Sequence, residues 1–260
     1  MKTSKLIAII FLLPVSIFPM FGSTENLFIE TPLQEIEFYK NLPLPKAWRI
    51  CYPNCNDENK IQVNIVNKEG SFFAIEQLHF FEEDFFQVKT IEKPENIEFL
   101  FQLKNGLAHP ISKLSYNISR STYKLDLKIS SSEPISIKIR ANQTLHPENI
   151  VGLGGLYNGT SLISFSPEGI EKMKQASILN DPEKFWHGAR SRFWSFLISP
   201  SETVQSYSIK DIDTDSNSFV LSSNSESGEY HFIFYFGPIE RSALISVSSQ
   251  LKDLLYTALW

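Results

Sequence analysis

Beyond residue 21 the chain has no run of 18 apolar residues, so no later segment spans a bilayer and a polytopic membrane protein is excluded. It also lacks basic excess. Lys and Arg number 24 against 29 Asp and Glu, a net charge of −5, which argues against phosphate-backbone binding as the main task and leaves no nucleic acid among the expected partners. Five histidines are scattered, with no spacing that puts two on one helix face, so no pair of them is expected to ligate a metal. The run Gly152-Leu153-Gly154-Gly155 lacks the spacing of a phosphate-cradling loop and reads as turns. No serine sits in a nucleophile elbow, and Glu82-Glu83-Asp84 reads as a solvated acidic edge. The sequence thus points to a protein that is not an enzyme, with no catalytic residues and no cofactor or metal.

What is present is apolar and aromatic. Hydrophobic residues make up 42% and charged residues 20%, with 21 Phe against 11 Gly in 260 residues. That composition is globular, and it favours half-buried sheet faces. Ile61, Val63 and Ile65 alternate with polar neighbours. So do Tyr123, Leu125, Leu127 and Ile129, and again Ile135, Ile137 and Ile139. Period-two patterns of this kind require antiparallel strands with one apolar face each. The more continuous runs 97–103 and 231–236 suggest strands covered on both faces, and 219–221 with 230–235 suggest a hairpin. The expected architecture is mainly β: a single large antiparallel β-sandwich, supersandwich-like, with a C-terminal amphipathic helix.

Three segments stand outside that pattern. Residues 1–23 carry Lys2 and Lys5 before an uncharged apolar stretch, which reads as an export signal, either cleaved or retained as a membrane anchor. Residues 24–60, with Pro32, Pro43, Pro45 and Pro53, read as irregular. Within them Cys51-Tyr52-Pro53-Asn54-Cys55 has turn chemistry at its centre. In an oxidising compartment the pair Cys51 and Cys55 can close a small loop disulfide; free thiols, or a metal or redox role, are the alternatives. Asn117, Asn142 and Asn158 head sequons that matter only in a eukaryotic secretory pathway. Residues 168–179 suggest a surface helix. Residues 240–259 suggest a stronger one, with Leu244, Val247, Leu251, Leu254 and Leu255 at three- and four-residue spacing. This stripe packs on the sandwich or on a membrane surface. Its last part, Leu251, Leu254, Leu255 and the terminal Trp260, is the candidate docking face for a partner or a membrane.

Several motifs resemble the periplasmic domain of the YidC family of bacterial membrane protein insertases. They are Asn105-Gly106-Leu107 with Tyr123-Lys124-Leu125-Asp126-Leu127, then Trp186-His187-Gly188 through Arg192-Phe193-Trp194-Ser195-Phe196-Leu197. The most specific is Tyr235-Phe236-Gly237-Pro238, followed by Leu244, Leu251 and Trp260. In the family a strand ends in Gly-Pro and a helix then leads to Gly-Trp at the second transmembrane segment. The resemblance covers about residues 95–260. Arg and Phe-Trp stand here where Lys and Tyr-Phe are usual, residues 24–94 match poorly, and the Cys51/Cys55 loop is not part of the pattern. Family members continue into five transmembrane helices that hold the insertase groove, so none of its residues carries over.

The resemblance implies a YidC-like periplasmic β-sandwich domain over residues 61–260, either independent or part of a split or truncated insertase. It would be exported to the periplasm and tethered there if the leader is retained. Its expected role is to assist membrane protein insertion or folding by binding nascent membrane polypeptide or the translocation and insertion machinery, with the membrane surface as a further contact. The alternative is a carbohydrate-binding or mutarotase-like module in which Trp48, Trp186, Trp194 or the Tyr-rich surface stacks on sugar rings.

Overall fold

A computed structural model describes residues 27–39, 42–66, 73–78, 85–141, 145, 159–166, 169–174, 177–179, 186–201, 203–204, 206–223 and 228–256. The leader 1–23, the glycine run 152–155, the acidic run 82–84 and Trp260 lie outside them. Among the described residues, eighteen strands form three antiparallel sheets. The largest has nine strands. One half holds β6 (Phe86–Glu92), β7 (Asn96–Leu103), β8 (Ile111–Ser119) and β9 (Lys124–Ser131). The other half holds β11 (Ser161–Ser166), β12 (Gly169–Lys172), β14 (His187–Arg190) and β15 (Trp194–Pro200). Strand β18 (Gly228–Pro238) lies between β9 and β15 and joins the halves. A five-stranded sheet contains β5 (Phe73–Ile75), β10 (Ser136–Arg140), β13 (Ser177–Leu179), β16 (Tyr207–Asp213) and β17 (Ser218–Ser223). A four-stranded sheet runs β1 (Leu27–Glu30), β2 (Gln34–Phe38), β3 (Pro45–Tyr52), β4 (Ile61–Val66). The mainly β, large-sheet architecture expected from the alternation is the one observed.

Register explains the layering. Leu114, Tyr116 and Ile118 of β8 stand opposite Ile129, Leu127 and Leu125 of β9, which stand opposite Tyr230, Phe232 and Phe234 of β18. All are buried and share one face. The two smaller sheets cover that face. Phe38 of β2 packs on Phe99, Phe101 and Tyr116, and Trp48 of β3 on Phe196, Phe234 and Phe236. From the five-stranded sheet, Phe73 meets Phe234 and Tyr207 meets His187. Each such buried aromatic contributes about 1.5–3 kcal/mol, so this face dominates stability.

Residues 24–60 are not irregular throughout: those described supply β1, β2 and β3 before the turns of 53–60. The prolines punctuate that sheet rather than prevent it. Pro32 lies in the β1–β2 turn, Pro43 precedes β3, Pro53 follows it, and Pro45 opens it, a position strands tolerate. Within the expected helix 168–179, the described residues form β12 and β13 instead. Gly169, at φ +132°, opens β12, which runs back along β11 from Ser166 opposite Gly169. Strands β17 and β18 do not form a hairpin. The first pairs with β10 and β16, the second with β9 and β15, so the chain changes layers between them. Strand β7 is covered on one face only. Ile97, Phe99 and Phe101 are buried, whereas Glu98 and Leu100 are half-buried and Gln102 is exposed. Strand β18 is covered on both faces only towards its end, from Phe234 to Pro238.

The C-terminal helix is also shorter and broken. Helix α1 (Arg241–Ile245) is capped by the Glu240 carboxylate, which accepts from the Ser242 and Ala243 N–H groups. A 3₁₀ helix (Ser249–Leu255) follows, capped by Ser248. The intervening Ser246-Val247-Ser248 explains the break. The Ser246 hydroxyl donates to the Ala243 carbonyl, and Ser248 accepts from the Gln250 N–H, so local bonds compete with helix continuation. Helix α1 lies against β18 and the 3₁₀ helix against β12.

Glycine decides one close approach. A Cβ at Gly188 would lie 2.1 Å from the Phe196 carbonyl oxygen and 2.8 Å from the Leu197 Cα, both backbone atoms that cannot swing aside. Gly188→Ala must therefore spread β14 from β15. It is expected to destabilise the protein by about 3 kcal/mol, the upper end of overpacking costs, as measured by urea denaturation.

Candidate functional site at the disulfide end of the sandwich

Cys51 and Cys55 are disulfide-bonded, with both residues buried. Each is also fixed through its backbone: Cys51 N–H donates to the Leu33 carbonyl at 2.9 Å and Cys55 N–H to the Pro32 carbonyl at 2.6 Å. The loop belongs to a group of connections that converge at this end of the sandwich. Tyr123, at the β8–β9 turn, donates its hydroxyl to the Cys51 carbonyl at 2.9 Å. The ring of Tyr52 stands edge-on to Trp194, 6.4 Å between centroids. Ile239, just past β18, donates its N–H to the Phe193 carbonyl in the β14–β15 turn. Gly237 sits where any Cβ would meet the Tyr123 and Tyr235 side chains at 2.8–2.9 Å. The glycine of the Gly-Pro that ends β18 is thus dictated by two tyrosines packed against it.

This end exposes three large apolar side chains. Tyr52 is 37% exposed, Ile61, its partner across β3 and β4, 44%, and Phe193 53%. The Arg192 guanidinium stands 5.1 Å above the Phe193 ring, an exposed cation–π contact that rims the apolar group with charge. The sequence singled out none of these as contact residues, because exposure depends on which strand ends the fold brings together.

The expected docking stripe divides. Leu251 and Leu254 are buried and do not form a docking face; they seal the sandwich, with the Leu254 carbonyl accepting from Arg190 Nη1 at 3.2 Å. Leu255 and Tyr256 are exposed, and Trp260 lies beyond the described residues. Leu251→Asp puts an unpaired carboxylate into that seal, so the melting temperature should drop by more than about 10 °C in a thermal scan. Leu255→Asp, at an exposed position, should leave it nearly unchanged.

Polar clusters elsewhere are structural in form. His187, fully buried, lies 2.8 Å from the Ser164 hydroxyl through Nδ1 and 2.8 Å from the Tyr207 hydroxyl through Nε2, joining the nine- and five-stranded sheets. Burial pushes its pKa down to about 3 and raises that of Tyr207. On the outer face of the large sheet, Asp126 accepts from His231 and pairs with Lys124 at 3.0 Å. Burial opposes its ionisation, but the hydrogen bonds from His231 and Lys124 outweigh that and hold the carboxyl below its ordinary range. A shallow groove of about 210 Å³ beside edge strand β6 is lined by Gln87, Val88, Lys89, Leu100 and Gln102 and presents one ionisable group. Trp48, Trp186 and Trp194 are all buried, so none of them offers a face for stacking on a sugar ring.

The His187 site has a pH signature. The unfolded chain takes up a proton near pH 6.5 that the folded chain refuses down to about pH 3. Stability from this site is therefore complete above pH 6.5 and lost as pH falls through that window. Urea titrations at pH 7, 6, 5 and 4 should show stability declining with a slope approaching about 1.4 kcal/mol per pH unit from this group. His187→Gln should remove that component of the slope while lowering stability at pH 7 by about 1–3 kcal/mol.

Neither a family model nor a curated protein matches the chain. Among solved structures it is similar to the alpha-N-acetylgalactosaminidase NagBb from Bifidobacterium bifidum. The ligand-free form gives 8% identity and a TM-score of 0.41, over 82% of this chain and 36% of that one. The GalNAc complex gives 8% identity and a TM-score of 0.46, over 88% of this chain and 39% of that one. The chain thus spans under half the length of that enzyme, and at this overlap the likeness decides no chemistry.

Proposed function

We propose that the chain is an exported, non-enzymatic β-sandwich domain of the kind found on the periplasmic side of YidC-family insertases. In this role it assists membrane protein insertion or folding by holding extended polypeptide or a translocase component. Support comes first from the sequence resemblance over residues 95–260 and from the Gly237-Pro238 exit of β18, whose glycine is required by Tyr123 and Tyr235. The observation that carries the reading is the exposure of Tyr52, Ile61 and Phe193 at that same end. Exposed aromatic and aliphatic groups rimmed by a cation suit apolar polypeptide segments on their way into a membrane.

The test is site-specific crosslinking in intact cells producing the full chain. A photoreactive residue at position 193 is expected to yield adducts with translocase, insertase or nascent membrane protein. The same residue at position 28, exposed on the outer face of β1, should yield few. Adducts from neither position, or equal yields from both, would remove the support for this surface.

A further inference from the structure

The disulfide has a neighbour that the sequence did not reveal. Glu35, on β2, brings a carboxylate oxygen within 4.8 Å of both the Cys51 and Cys55 sulfurs. Glu35 is the first outward residue of β2, one step past the turn whose Pro32 and Leu33 carbonyls bind the two cysteine N–H groups. Opening the S–S bond therefore leaves both cysteines anchored beside Glu35. A side-chain amide of Gln62 donates towards the Cys51 sulfur at 3.9 Å, the contact that steadies a thiolate. Two cations offset the negative charge that would gather there. Arg49 lies 3.9 Å from the Glu35 carboxylate, and Lys60 Nζ donates to the Cys55 carbonyl. The Glu35 side chain keeps 19% exposure, which leaves an entry path.

We propose that on reduction Cys51 and Cys55, together with Glu35, form a three-ligand site for a thiophilic divalent cation of the zinc group. Two sulfurs and one carboxylate oxygen suit that class, whose bonds are about 2.3 Å to sulfur and 2.0–2.2 Å to oxygen, and a fourth, open position falls to water. The steps balance. A dithiol reductant gives up two electrons and two protons, becoming a disulfide while Cys51 and Cys55 become thiols. The cation then forms two metal–sulfur bonds and one metal–oxygen bond and releases the two thiol protons. The disulfide would thus be the closed state of a redox-gated cation site. This proposal does not rest on the polypeptide-binding role.

The full chain, reduced with a phosphine and kept anaerobic, is titrated with Cd²⁺ and followed by the ultraviolet thiolate-to-cadmium band. The expected result is saturation at about one equivalent, release of about two protons per cation, and loss of the band on adding Zn²⁺ in excess. The oxidised chain and the Cys51→Ser, Cys55→Ser variant should give no band. Glu35→Gln should weaken binding by about tenfold or more. A thermal scan of the reduced, metal-free chain should remain cooperative. No band in the reduced chain, unchanged affinity in Glu35→Gln, or a reduced chain that no longer melts cooperatively would each overturn the proposal.

Discussion

The structure depends on one side chain reaching between layers. Trp48 of β3 lies edge-on against Phe196, Phe234 and Phe236, which come from β15 and β18 of the nine-stranded sheet. Its indole N–H cannot be buried unpaired, and it donates to the Gln34 side-chain oxygen at 2.9 Å. The Gln34 amide nitrogen in turn points at the carbonyls of Ser119, Thr122 and Lys124, at 3.3–3.4 Å. One buried tryptophan–glutamine pair therefore fixes the four-stranded sheet to the β8–β9 turn and to the centre of the large sheet. The disulfide loop, Tyr123 and the exposed group at Tyr52 are held in place through that connection.

The same arrangement shows why a local staple adds little to the main core. The Cys51–Cys55 bond closes a loop four residues apart, where chain-entropy stabilisation is at its smallest, and both cysteines are already tied to the β1–β2 turn. Its chemistry matters more than its contribution to stability. By contrast, the charges on the outer face of the four-stranded sheet, Glu35, Glu37, Lys46 and Arg49, pair at 2.9–3.9 Å across β2 and β3 in contact with solvent. Such pairs contribute under about 1 kcal/mol each to stability.

One strand in each of the three sheets was legible because alternation is a local property. Tyr123 to Ile129 and Ile135 to Ile139 mark β9 and β10, and Ile61 to Ile65 marks β4. What could not be read was long-range. Prolines that bound strands look the same in sequence as prolines that prevent them, so β1 to β3 were hidden. The leucine spacing after Glu240 fits a helix, but the serines at 246 and 248 break it through bonds that only the folded backbone discloses. The candidate site shows the same limit. The cysteine spacing announced a bridge, whereas Glu35 and Phe193 gain their meaning from strands and turns far away in the chain.

The position of β18 carries a consequence for how the chain is made. The two halves of the large sheet, β6 to β9 and β11 to β15, are each nearly contiguous in sequence, yet they meet only through β18, which follows both. Until residues 228–238 emerge from the ribosome, β9 and β15 are bare edges, open to pairing with any extended chain. A protein assembled in this order lives through a vulnerable interval in every synthesis cycle. It ends when one late strand, apolar over most of its length, pairs with both edges at once.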